Sequence, residues 1–142
     1  MSKSNTFEND WLKLVFNATA IANIADNAAS APLTNIFLAL HTADPGEAGV
    51  QNTSECAYTG YARVTVARTT GGWTVTNNSV SPVATVSFPA CTAGSETATY
   101  ASAGVASSGA TKILYSGILS SSISISTGVT PQLLATSTIT ED

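Results

Sequence analysis

The chain has 142 residues, 44% of them hydrophobic and only 10% charged, and a formal net charge of −4. That length supports one domain with a real core, and five basic residues are too few for the phosphate contacts that drive nucleic-acid binding. Against a usual charged share of ~25%, the deficit is filled by hydroxyls, 39 Ser and Thr in all, which suits strands packed on one another and on other subunits.

The N-terminus, MSKSNTFENDW, has acids where an export signal would have a basic stretch and then an apolar run. No apolar stretch approaches the ~20 residues that span a bilayer, so the expectation is a protein made in the cytoplasm with no membrane partner. Thr6 or Asn5 can cap a helix in which Phe7, Trp11, Leu14 and Val15 share a face, widened by Leu12 and Phe16. Glu8 and Asp10 fall in its first turn, where carboxylates favour the helix dipole. NATAIANIADNAASAP then reads either as a short second helix or as an irregular tether, ended by Pro32.

From Thr34 onward the pattern is strands and turns. NIFLALHT is a mostly apolar run of strand length and predicts a strand buried on both sides. ARVTVAR alternates, with Val64 and Val66 on one face and Arg63, Thr65 and Ala67 on the other. Gly71-Gly72 predicts a hairpin between that strand and GWTVTNN. ATVSFP, TATYASAGVAS, KILYSGIL, SISIS and QLLATSTI complete the series, with Ser120-Ser121 among the punctuating turns. About eight short strands at even spacing, with no helical pattern after Pro32, predict a mainly β fold. The expected architecture is an antiparallel β-sandwich, jelly-roll or Greek-key, with an N-terminal helix. Residues 1–33 would form the helical segment or arm and 34–142 the sandwich, one domain overall.

The densest cluster of chemical groups is HTADPGEAG, which holds the single histidine, His41, beside Asp44, Pro45, Gly46 and Glu47. A transition-metal site needs two or three His or Cys ligands, and the chain has one His and two widely separated Cys. Cys56 and Cys91, 35 positions apart, could pair if exposed to oxidant but read first as two free thiols in a reduced compartment. Calcium on Asp44, Glu47 and Glu55 lacks the spacing of an Asp-rich loop. A serine hydrolase would have to use His41 without a Gly-x-Ser-x-Gly elbow, and no groove of paired acids with sugar-stacking aromatics is indicated. His41 therefore reads as a structural residue at a strand end, and Asp44-Pro45-Gly46 as a turn in which Asp bonds the backbone two residues on. No catalytic residue, metal or cofactor is expected. Candidate interface residues are Phe7, Trp11 and Phe16 on the helix, with Arg63 and Arg68, whose planar guanidinium groups pair with carboxylates.

LALHTADPGEAG (38–49), Glu55, YTGYARVTVAR (58–68), GGW (71–73) and SFPA (87–90) together resemble a family of small tailed-bacteriophage virion proteins, usually catalogued as phage tail fibre proteins. WLKLVFNATAIANIADNAASAPLTN (11–35) fits it too, so the resemblance covers nearly the whole chain. It implies a virion structural protein with no catalytic residues to transfer. The first expectation is a capsid decoration, or cement, protein that stabilises the assembled head; the alternative is a tail fibre or baseplate subunit. Its partners would be the major capsid protein or tail proteins of the same virion, and it would be a homo-oligomer, a trimer first. A lectin-like module is a third reading; it would need Trp73, Tyr58 and Tyr61 exposed to stack on sugars.

Overall fold

The computed structural model describes residues 4–21 and 32–141. Residues 22–31, the heart of the segment read as a second helix or a tether, lie outside the described residues. The fold is mainly β, as expected. One helix, α1 (Asn5–Asn17), precedes nine strands: β1 (Asn35–His41), β2 (Val64–Ala67), β3 (Trp73–Thr76), β4 (Ser79–Pro82), β5 (Val86–Ser87), β6 (Ser95–Gly104), β7 (Ile113–Ser126), β8 (Gln132–Leu133) and β9 (Ile139–Thr140). Among the described residues they form three sheets, in the orders β2-β1-β6-β7, β3-β4-β9 and β5-β8, and each strand pair with a defined register is antiparallel.

The chain folds as two compact units, each spliced from separated segments: residues 1–35, 66–85 and 134–142 in the first, 36–65 and 86–133 in the second. In the first unit α1 packs on β3 and β4. Its cap is Ser4, one or two positions before the residues expected, and the Ser4 hydroxyl accepts from the Phe7 amide at 3.4 Å. The buried stripe also differs from the one read in the sequence. Glu8, Leu12 and Phe16, four apart, face inward, while Phe7 and Trp11 are 36% and 39% exposed. The Phe16 ring meets Trp73 of β3 at 4.7 Å, and this contact sets the rotation of the helix. Ala18, with φ of 53°, ends it in the left-handed conformation.

β3 does pair in a hairpin, but with β4 (Trp73↔Pro82 through Thr76↔Ser79), across a turn in which Asn77 has φ of 53°. The expected hairpin across Gly71-Gly72 is absent, because β2 and β3 belong to different sheets. Gly72 and Trp73 instead donate to the Thr69 carbonyl in a tight turn. A Cβ on Gly72 would lie 2.1 Å from the Ala67 carbonyl oxygen, so only glycine fits there.

In the second unit β1 pairs with β6, from Phe37↔Gly104 to His41↔Tyr100, and β6 pairs with β7. Ile36, Leu38, Ala39, Leu40, Ala98, Ala103 and Ile125 are buried here, and so are Val86 and Phe88. KILYSGIL and SISIS are one strand. Ser120-Ser121 is no turn; it lies where β7 carries extra residues opposite the step from Ala98 to Tyr100, as a bulge.

Candidate functional site

The most elaborate polar construction lies in the second unit, around Arg63, just before β2. An arginine buried away from water must find a carboxylate or other acceptors for its fork. Arg63 is 7% exposed, and its Nε and Nη2 donate to Glu55 Oε1 and Oε2 at 2.7 and 2.8 Å. The remaining donors are spent locally. Nη1 donates to Gln51 Oε1, the Ala106 carbonyl and Thr111 Oγ1 at 3.0–3.1 Å, and Nη2 also donates to the Gly109 carbonyl at 2.8 Å. One guanidinium thus holds the 51–55 turn and the 106–111 loop between β6 and β7.

The second layer completes the accounting. Tyr61 donates its hydroxyl to Glu55 Oε1 at 2.9 Å and accepts the Leu40 amide at 3.1 Å. Burial pushes the Tyr61 phenol well above its ordinary value, so it stays protonated. Gln51 is fully buried and donates Nε2 to the Phe37 carbonyl at 2.7 Å. The space beside it is filled: a Cβ on Gly104 would fall 2.2 Å from Gln51 Oε1.

His41 is fully buried at the end of β1. Its Nδ1 lies 2.9 Å from the Thr53 carbonyl, which can only accept, so Nδ1 carries the proton; Nε2 then accepts from the Ser102 hydroxyl at 2.7 Å. Burial lowers its pKa, against smaller opposing effects of the Thr53 carbonyl and Glu55. In the following loop Asp44 Oδ1 accepts the Gly46 amide at 2.8 Å, Gly46 has φ of 70°, and Pro45 is buried. Glu47 is exposed.

Asp44, Glu47 and Glu55, the calcium candidates, are not brought together: among the described residues no three His, Cys, Asp or Glu side chains are grouped to hold a metal ion. Cys56 and Cys91 are free and buried, and burial pushes the Cys56 thiol up to about 12. Trp73 and Tyr58 are buried and Tyr61 stacks on Phe88, so these aromatics do not make the open platform that a lectin-like site needs.

Of the candidate interface residues, Phe7 and Trp11 face outward, while Phe16 and Arg63 are buried against Trp73 and Glu55. Arg68 is likewise turned onto its own chain. It donates to the Leu14 and Val15 carbonyls in the last turn of α1, and to the Leu33 carbonyl at 3.1 Å. Because α1 has no basic residue in its last turn, Arg68 supplies the positive charge that its unsatisfied carbonyl end favours. The part played by Gln51 and Thr111 escapes sequence reasoning, since neither stands in a recognisable pattern. Glu55 is the acid nearest Arg63 in the chain, and that proximity is the signal by which the pair can be found.

Taken together, the described groups hold one another, with each ring nitrogen of His41 and each group of the Arg63 fork engaged. A comparison with the curated proteins finds no match. A family model described as podophage GP4 fiber I protein gp80 matches residues 2–140. The chain therefore belongs to the podophage GP4 fiber I protein gp80 family.

Proposed function

We propose that the chain is a fibre subunit of a podophage virion, acting through its folded surface and transforming no substrate. The observation that carries this reading is the match of the fibre family over nearly the whole chain. The site chemistry supports it. The centre is a clamp between loops, and a bidentate, buried arginine–carboxylate pair is suited to keeping a surface rigid. Capsid decoration, the first expectation from the sequence, draws no such support from the family's description, so the fibre reading is preferred. The partners on this reading are tail proteins of the same virion, with the exposed Phe7 and Trp11 of α1 as candidate contacts.

Quantitative mass spectrometry of separated heads and tails tests it. The chain should fractionate with tails, at a copy number set by the fibres. Recovery with heads, in hundreds of copies per particle, would replace the fibre assignment with decoration.

A further inference from the structure

The four-stranded sheet ends on one side at β7, whose 14 residues make it the longest strand among the described residues. Among the described residues, β7 pairs within the sheet only with β6. Proteins ordinarily blunt such an edge with charge, proline, short length, bulges or a covering segment, because its outward N–H and C=O groups template another strand. ILYSGILSSSISIS holds no charge and no proline. Its two register shifts leave regular stretches at 115–118 and 123–126. Ile118 is 74% exposed, and Ser116, Ser120, Ser121, Ser122, Ser124 and Ser126 are exposed with it.

We propose that β7 is a self-association edge, on which a second copy of this chain pairs its own β7 antiparallel about a two-fold axis. Charge favours that occupant. Each copy carries a net −4, so copies approach best where charge is absent, and β7 meets an uncharged, Ile- and Ser-rich edge identical to itself. Extent sets the strength. At about 3.3 Å per residue the strand is at most about 45 Å long, and a strip about 10 Å thick gives about 450 Å² per copy. The total of about 900 Å² falls below the range of stable specific interfaces and within that of weak, transient ones, so pairing depends on concentration. Symmetry sets the number. A two-fold contact uses β7 alone, whereas a ring of three would need β7 to meet the opposite edge, β2, which has four residues.

This pairing is independent of where the chain sits in the particle and is measured on the purified full chain. Sedimentation over a concentration series should move the mass from 14.4 kDa toward twice that value. Ile118→Lys combined with Ser124→Lys, both at exposed positions, should weaken association tenfold or more. Val83→Lys, at an exposed apolar site outside β7, should leave it unchanged. Hydrogen exchange on the unaltered chain provides a second readout should the double variant fail to fold: amides in 113–126 should slow as concentration rises. A single chain at every concentration, a trimer, association that survives both lysines, or exchange protection confined to other strands would each overturn the proposal.

Discussion

At the level of single residues the fold is fastened by Arg63. Its side chain is almost wholly out of water beside Glu55, and removing one member of such a pair strands the other. Arg63→Met or Glu55→Gln should therefore cost about 3–5 kcal/mol in urea unfolding. Arg63→Lys should recover little, because an ammonium cannot reproduce the fork. Tyr61→Phe leaves the Leu40 amide without its acceptor and should cost about 1–3 kcal/mol. His41 gives the chain a pH dependence. Its folded pKa lies below the ordinary 6.5, so below that pH the unfolded chain binds more protons than the folded one, and stability falls. Urea midpoints should be flat well above pH 6.5 and decline as the pH falls through and below it. The same series on His41→Gln should lose that decline, and an unchanged slope would contradict the role of the buried imidazole. The type of chemistry available to Arg63 is legible in the sequence, but its direction is not, because the loops that supply Gln51 and Gly109 have no periodicity.

At the level of elements, hydrophobic pattern and turn chemistry account for much of what forms. NIFLALHT is β1 and is mostly buried, and the N-terminal helix stands where the apolar spacing puts it. One omission and one misreading have physical causes. β4, absent from the strands read in the sequence, is short and ends in Pro82, yet Val80 is buried and β3 pairs along its length. The buried stripe of α1 is displaced by one residue because Phe7, Trp11 and Phe16 are equally apolar, and only the position of Trp73 decides which of them turns inward. Phe16→Ala should accordingly cost about 3–5 kcal/mol, whereas Trp11→Ala, on the outer side, should cost well under that; equal losses would contradict the assigned face. In the β3–β4 turn, Asn77→Gly should be neutral, and Asn77→Val should cost about 1–3 kcal/mol because a β-branched residue resists positive φ. Thermal denaturation of the pair checks this.

For the whole molecule, four crossings of the chain between its two units mean that each unit is assembled from segments distant in sequence. Pattern reading identifies strands one at a time and has no means of assigning them to units joined in this way. Among the described residues no helix is long and apolar enough to cross a membrane. The chain belongs to a family of fibre proteins, and the described polar groups around Arg63 are hydrogen-bonded to one another; the proposed fibre role rests on these two observations. The most direct measurement is a reconstruction of the intact phage at a resolution that distinguishes strands. Density for this fold, with its helix on the β3–β4 hairpin, should lie in the fibres of the tail. The same density repeated across the head surface, with none in the tail, would contradict the account.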